Sequence, residues 1–239
     1  MSEPLIDVTG ARKRRARARL IRRLRLAGFL TVVLALVGGG VWLFHGSPWL
    51  AVREVRVTGT ALTSVDEIKA AAAVPIGAPL AGVDTGAVAA RVGELPAVAE
   101  AKVSRAWPDA LAVEVTEERP VVVLEAGRRF VWVSGEGQVF HSSADRPEGV
   151  LLARADVGDE AKLVALARVA GDLPEAVRRQ ATLLRAATVD SITVTLSDNR
   201  QVWWGSAEDG ELKASVIVGL LGVKAREYDV SAPTHPTTK

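Results

Sequence analysis

Residues 26–44 read LAGFLTVVLALVGGGVWLF, a run without charge or proline, and the rest of the chain is organised around it. Read as a helix, these nineteen residues extend about 28 Å, which matches the hydrocarbon core of a bilayer. Thr31 supplies the only hydroxyl, so the run lacks the polar face of a soluble surface helix. The sequence therefore predicts an uncleaved membrane anchor over residues 26–45. A buried core helix and a cleaved signal peptide are the alternatives.

The charge on the two flanks predicts the orientation of this anchor. Residues 1–25 carry nine basic and two acidic side chains, a net charge of +7, whereas the first charge after the anchor is Arg53. Because basic residues beside a span resist translocation, the tail 1–25 is expected to be cytoplasmic and the chain beyond residue 50 extracytoplasmic. Trp42 and Trp49 bracket the outer end, where amphipathic rings favour the lipid headgroups.

The basicity of the whole chain comes from its N-terminal tail. The chain has 30 basic and 28 acidic residues, which leaves 21 basic and 26 acidic residues beyond residue 25. The tail is therefore interpreted as a topology signal that contacts the lipid bilayer, with nucleic-acid binding as the alternative. Cysteine is absent, which excludes a disulfide framework and a thiolate metal site.

Residues 50–120 are expected to fold as a strand, two helices and two strands, in that order. Ser64 and Glu67 form a capping box that starts the first helix, and Asp84 is the expected N-cap of the second. Alternating apolar and polar residues indicate half-buried strands. The predicted strands cover residues 50–57, 98–105 and 111–118.

Short motifs stand in a defined order along this module. They are Val57-Thr58-Gly59, Leu95-Pro96 with Val98, Val103-Ser104-Arg105 with Trp107-Pro108, and Val115-Thr116-Glu117 with Arg119-Pro120. Directly after a membrane span, this ordered set resembles the start of the extracytoplasmic part of the bacterial cell-division proteins FtsQ and DivIB. The resemblance implies that residues 50–120 form a POTRA domain.

Residues 121–232 are expected to form a mostly antiparallel β domain with flanking helices, followed by a tail over 233–239. The predicted strands cover 121–125, 129–133, 138–141, 150–153, 181–187, 191–196, 201–204 and 226–231, and the predicted helices cover 160–170 and 209–223. Trp203 and Trp204 are adjacent on one strand, so their rings must point to opposite faces of the sheet. One ring is therefore expected in the core, and the other exposed or covered.

This second half resembles the FtsQ-type β domain over its whole length. The landmarks are Gly137-Gln138-Val139-Phe140, residues 192–196, Val202 with Trp203-Trp204-Gly205, Lys213, and the run from Tyr228 to Pro233. Ser134 and Asn199 stand where aspartate and glycine are more usual, and both are turn sites that tolerate the change. The expected fold class is α+β: one transmembrane helix, a βααββ POTRA domain and a mostly antiparallel β domain.

No catalytic or metal-binding motif stands out. His45, His141 and His235 lack metal-ligand spacing, and no serine sits in a nucleophile elbow. Glu117 lies at a strand end and Asp159 precedes a helix, where acids are solvated or cap backbone N–H groups. We expect no catalytic residue, no cofactor and no metal. A membrane-tethered cell-wall enzyme and a secretion or assembly POTRA protein are the alternatives, and the second would normally continue into a barrel or further repeats.

The C-terminal strand is the expected partner-binding element. A last strand at a sheet boundary offers unpaired N–H and C=O groups to which a partner segment can add. The family resemblance implies that this strand, with the helix before it, recruits the small bitopic division proteins FtsB and FtsL. Tyr228 is the expected anchor, since aromatic rings with a polar tip are favoured at interface centres. The alternative is that Tyr228 and Val230 only pack the core while the tail covers the edge. The residues so assigned are Lys213, Arg226, Glu227, Tyr228, Asp229, Val230 and Ser231.

The resemblance also implies a cellular role. It places the chain in the inner cell membrane at the division septum, as a single-pass, non-enzymatic scaffold. Its POTRA domain would bind other membrane proteins of the divisome near residues 53–57, unless that strand serves only its own sheet.

Overall fold

The structure is a computed structural model that describes residues 24–42 and 48–239. Helix α1, Leu24–Trp42, is the one helix among these residues that is long and apolar enough to cross a membrane, and none of it is buried by the rest of the chain. An apolar helix without protein cover fits a lipid environment. The predicted cytoplasmic tail up to residue 23 and the predicted outer end of the anchor, residues 43–45, lie outside the described residues.

The first module after the anchor contains one sheet and two helices. Its elements are β1 (Glu54–Thr58), α2 (Val65–Ala72), α3 (Thr85–Gly93), β2 (Val98–Ala106) and β3 (Ala110–Glu117). The strands lie in the order β1-β3-β2, and the predicted βααββ succession is confirmed. β1 starts later than predicted: Pro48–Leu50 forms a turn of 3-10 helix, and Ala51 makes only an isolated bridge to Pro79. The Ser64 hydroxyl accepts the N–H of Glu67 at 3.2 Å, as the capping box predicts.

The turn after β1 contains Gly59, and this position requires glycine. Its φ is +87°, and a Cβ placed there would lie 2.0 Å from the carbonyl oxygen of Val115 on β3. Since any side chain would collide with this carbonyl, only glycine lets the chain leave β1 so close to β3.

The second module is a nine-stranded sheet with three helices. Its strands are β4 (Val122–Ala126), β5 (Arg129–Val133), β6 (Val139–Ser143), β7 (Leu151–Arg154), β8 (Ala181–Thr188), β9 (Ser191–Leu196), β10 (Gln201–Gly205), β11 (Glu227–Asp229) and β12 (Thr237–Thr238). Its helices are α4 (Glu160–Asp172), α5 (Glu175–Arg178) and α6 (Gly210–Leu220). The strand order is β12-β11-β10-β9-β8-β7-β4-β5-β6. Five pairings are antiparallel and three are parallel, so the sheet is mostly antiparallel, as predicted.

The apolar core of this module lies on one face of the sheet, under α4 and α6. Leu166 of α4 and Ile217 of α6 are fully buried there, together with Trp204 and Tyr228 of the strands. Trp203 lies on the opposite face and is exposed. The predicted division of the two adjacent rings between core and surface is therefore confirmed.

Helix α4 ends later than predicted. The sequence predicts a stop at Gly171, but the helix continues to Asp172 and is capped at Leu173, whose ψ of 124° is extended. Because Pro174 disfavours helical geometry in the residue before it, proline and not glycine sets the end of α4. The short helix α5, which the sequence analysis missed, starts directly after the same proline.

Ser134 and Asn199 both fit the turns in which they depart from the family pattern. Asn199 has a φ of +64°, a left-handed conformation that asparagine tolerates. The buried Ser134 hydroxyl accepts the N–H of Gln138 at 3.3 Å across the turn.

Candidate functional site

The predicted partner-binding residues lie at one end of the nine-stranded sheet. β11 runs parallel to β10, and the N–H of Val230 donates to the carbonyl oxygen of Trp203 at 3.0 Å. The opposed pairs are Gln201 with Glu227, Val202 with Tyr228, and Trp203 with Asp229. β11 is thus paired with β10 on its inner side. A partner strand can add to the sheet only on the outer side of β11.

The outer side of β11 is occupied by the last residues of the chain. Thr237 and Thr238 pair with it as the antiparallel strand β12. The N–H groups of Arg226 and Glu227 donate to the carbonyl oxygen of Lys239 at 2.7 and 3.0 Å. β11 is therefore not the open edge that the sequence predicts. The structure has the alternative arrangement, in which the tail covers the edge with a two-residue strand.

Tyr228 points into the core. Its side chain has no exposed surface, and its hydroxyl donates to the carbonyl oxygen of Val223 at 2.8 Å. The guanidinium of Arg200 donates to the same hydroxyl at 2.9 Å and lies 5.6 Å from the ring centroid. Val230 is buried as completely as Tyr228. Both residues therefore pack the core, as in the alternative stated for the sequence, and they fix the position of β11 from inside.

Arg200 is the residue of this region that the sequence analysis missed. It also donates to the carboxylate of Asp198 and to the side-chain oxygen of Gln180 at 2.9 Å. The hydrogen bond to Tyr228 and the Asp198 carboxylate raise the pKa of Arg200 above its ordinary value, against the effect of partial burial. Arg200 stays charged and ties the turn before β10 to β11. The only feature of the sequence that pointed to Arg200 was its position in the turn between the predicted strands 191–196 and 201–204.

Lys213 is also an interior residue. Its side chain is 1% exposed, and its ammonium donates to the carbonyl oxygen of Ser206 at 2.9 Å. Burial lowers the pKa of Lys213, while the carboxylates of Asp209 and Glu208 act in the opposite sense. Lys213 therefore holds the turn between β10 and α6 and does not reach the surface, contrary to its expected role in binding.

Helix α6 carries Leu212, Val216 and Leu220 at helical spacing, but only Val216 and Leu220 pack partly against the core, and Leu212 is exposed. The fully buried residues of the helix are Lys213 and Ile217. The carbonyl partner of Lys213 makes this possible, since a buried ammonium needs a hydrogen-bond acceptor.

The remaining predicted residues lie at the surface. Arg226 and Ser231 are exposed, and Glu227 and Asp229 are partly exposed. The Asp229 carboxylate accepts the N–H and the hydroxyl of Ser231 at 2.9 and 2.6 Å, which ends the strand. Gly205 allows the chain to pass here, since its φ is +77° and a Cβ would lie 2.8 Å from the Cβ of Ser231.

A groove of about 680 Å³ lies beside the end of β11. Arg200 and Val223 line it, together with Asp198. Its rim carries the exposed cationic side chains of Lys224, Arg226 and Lys239. A surface of this charge suits a partner segment with carboxylates.

Glu117, one of the acids considered for chemistry, has a structural partner. Its carboxylate accepts the consecutive backbone N–H groups of Ala61, Leu62 and Thr63 at 2.8 to 2.9 Å. Burial alone would raise the pKa of Glu117, but the hydrogen bonds from Thr63, Leu62 and Ala61 outweigh it and lower the pKa below 4.5. Glu117 clips the loop after β1 to the end of β3.

Glu117→Gln is expected to lower the free energy of unfolding at neutral pH by about 2 kcal/mol. The neutral amide keeps only one acceptor oxygen for the three N–H groups, and its NH2 group is itself a donor. A lowered native pKa means that the ionised group stabilises the fold above its ordinary pKa of 4.5 and loses this effect as pH falls through the native value. The difference between wild type and variant should therefore shrink below pH 4.5. Denaturant unfolding across pH measures it. Glu114→Gln, exposed on the same strand, is the control and should show no such convergence.

Asp172 is the described carboxylate whose pKa is raised. Burial is the main cause, Glu211 adds to it, and Arg168 opposes it. The carboxylate packs against Gly210 at the start of α6, where a Cβ would lie 2.0 Å from one of its oxygens. This close packing gives Asp172 a role in joining α4 to α6.

Within residues 24–42 and 48–239, no group of three histidine, aspartate or glutamate side chains could hold a metal ion.

Fold and site together define a class: a chain with one apolar N-terminal helix, a βααββ module and a β domain with a strand-paired end. The family model described as "POTRA domain, FtsQ-type" matches residues 50–118. The cell division protein FtsQ of Streptomyces venezuelae is 40% identical over 221 residues, covering 86% of this chain and 80% of that protein. FtsQ of Streptomyces coelicolor is 37% identical and covers 100% of this chain and 99% of the relative.

The chain therefore belongs to the FtsQ family of bacterial cell division proteins. FtsQ of Mycobacterium bovis is 37% identical over 87% of this chain and 67% of that protein. Among solved structures, the major extracytoplasmic domain of DivIB from Geobacillus stearothermophilus matches with a TM-score of 0.34 and 15% identity, over 42% of this chain and 87% of that domain. The family and α+β fold expected from the sequence are confirmed.

Proposed function

We propose that this chain is a non-enzymatic scaffold of the cell-division machinery in the inner membrane at the septum. Its family membership and single apolar helix support this role. The basic tail 1–25 supports a cytoplasmic N-terminus. In this proposal residues 26–45 span the membrane, residues 50–120 form the POTRA domain, residues 121–232 form the β domain, and 233–239 is the tail.

The proposed partners are the bitopic division proteins FtsB and FtsL, bound by strand addition at β11. The observation that carries the proposal is that only a two-residue strand covers the outer side of β11. A partner strand that displaces residues 237–239 would replace each lost backbone hydrogen bond with an equivalent one and then continue along 226–231. The displaced segment is small, so the exchange costs little.

Side chains at this edge divide into two groups in the proposal. Arg226, Glu227, Asp229 and Ser231 contact the partner. Lys224 and Arg226 attract its acidic side chains, since Lys239 leaves with the displaced tail. The interior group keeps the strand in register without touching the partner. It consists of Lys213, Tyr228 and Val230.

The POTRA domain offers a second edge. β1 is an outer strand of the three-stranded sheet. We propose that other divisome membrane proteins bind near residues 53–57, through this edge.

Photocrosslinking in membranes tests the proposal. A photoreactive amino acid in place of Arg226 is expected to capture an FtsB-like or FtsL-like protein, identified by mass spectrometry. The matched control replaces Arg154, which is exposed on β7 of the same sheet and away from the edge. It should capture neither partner. Equal capture from both positions, or no division protein from position 226, would refute the assignment of the edge.

A further inference from the structure

The three most exposed large apolar side chains of the first module lie on three different loops. Trp49 is 79% exposed, Ile76 is 66% exposed, and Trp107 is 49% exposed at the tip of the β2–β3 hairpin. Single exposed apolar residues are ordinary, but several at one place indicate an interaction surface. Their arrangement therefore matters more than their number.

Backbone hydrogen bonds join the three loops at residues 52 and 53. The N–H of Val52 donates to the carbonyl oxygen of Ala78, and the N–H of Gly77 donates to the carbonyl oxygen of Val52, both at 2.8 Å. The N–H of Arg53 donates to the carbonyl oxygen of Asp109 at 2.8 Å. The segments that carry Trp49, Ile76 and Trp107 thus meet at one end of the module, which we call the tryptophan end.

The tryptophan end is tied by a short connection to the apolar helix. α1 ends at Trp42 and the next described residue is Pro48. The five residues between them reach at most about 20 Å, even fully extended. If α1 spans the bilayer, the tryptophan end must lie within that distance of the outer end of the span.

The chemistry of this surface matches the lipid headgroup layer. Tryptophan is enriched at that depth because its ring is apolar while its indole N–H makes a polar contact. Arg53 adds an exposed guanidinium, which lies 3.9 Å from the carboxylate of Asp109 at the hairpin tip. Apolar side chains interspersed with cationic groups are typical of segments that lie in a membrane interface.

We propose that the tryptophan end inserts Trp49, Ile76 and Trp107 into the outer headgroup layer of the bilayer. The first module is then held against the membrane surface by three loops as well as by the anchor. This inference rests on the proposed membrane anchor and is independent of the partner edge on β11. Its ligand is lipid, and a protein bound to the same surface is the competing outcome.

Depth-sensitive fluorescence of the full chain in lipid nanodiscs tests this proposal. The chain has no cysteine, so Ile76→Cys and Trp107→Cys each give one site for a nitrobenzoxadiazole dye. The nanodiscs contain phosphatidylcholine and phosphatidylglycerol, with spin-labelled lipids whose nitroxide is at the headgroup or at the bilayer centre. The control is Val189→Cys, 39% exposed in the turn between β8 and β9.

Dyes at positions 76 and 107 are expected to shift their emission to the blue and to be quenched most by the headgroup nitroxide. The dye at position 189 should emit as in water and stay unquenched. Water-like, unquenched emission at both test positions would overturn the proposal, as would a blue shift that appears only after purified division proteins are added. Co-purification of chain and disc tests the anchor separately, so a failed anchor is distinguishable from a module that does not touch lipid.

Discussion

Oxidation of a chain with Asp229→Cys and Thr237→Cys is expected to abolish capture of an FtsB-like partner, and reduction is expected to restore it. The two positions oppose each other across the antiparallel β11–β12 pair. The Cα atoms of such opposed residues lie about 4.5 to 5.5 Å apart. That separation suits a disulfide. The bond would lock the tail on the outer side of β11, where the partner strand must add.

Pull-down from membranes with and without reductant measures this effect. The wild-type chain has no cysteine, so the engineered pair has no competitor. The single variants Asp229→Cys and Thr237→Cys should show no dependence of capture on oxidant, and the reduced double variant should match the single variant Asp229→Cys, which already lacks one proposed contact. Equal capture by the oxidised and reduced double variant would show that the partner does not displace the tail.

The order of the elements was predictable because hydrophobic period and turn residues are local signals. The capping box at Ser64 and the strand alternation each act within a few residues. The family motifs then supplied the connection between these elements, which local pattern alone does not give. At the end of α4 two local signals compete. Gly171 predicts an earlier end of the helix, but the helix ends at Asp172, where Pro174 sets the boundary.

The roles of the site residues were less predictable because they depend on distant partners. Tyr228 is buried partly because Arg200, 28 residues earlier in the chain, donates to its hydroxyl. Lys213 is buried because a turn seven residues earlier presents the carbonyl of Ser206. The hydrophobic pattern predicts that one face of a helix or strand is more apolar than the other. Which side chains are buried also depends on tertiary contacts with distant residues.

The pairing of the tail with β11 was also not predictable from the local sequence. Residues 234–239 read THPTTK, polar and proline-containing, which is typical of unstructured termini. Their pairing depends on β11 being held in place by β10, so no local feature announces it. The result changes the expected mechanism from addition at an open edge to exchange of one strand for another.

Tyr228→Ala is expected to lower the free energy of unfolding by about 3 to 5 kcal/mol, the largest stability effect among single changes at this site. The substitution empties a fully buried ring site and leaves the guanidinium of Arg200 and the carbonyl of Val223 without their partner. Denaturant unfolding of the full chain in detergent, followed by tryptophan fluorescence, measures the change. Of the six tryptophans, Trp204 lies in the same core as Tyr228, so part of the fluorescence change follows this region.

Tyr228→Phe is the matched control, since it keeps the ring and removes only the hydroxyl. It should cost about 1 to 2 kcal/mol, the value of losing hydrogen-bond partners in a buried site. An alanine variant as stable as wild type would show that the ring is not part of the core. An alanine variant that keeps its stability but loses FtsB-like capture would instead restore Tyr228 as a surface anchor. The structure predicts the opposite order, in which loss of binding follows loss of the fold.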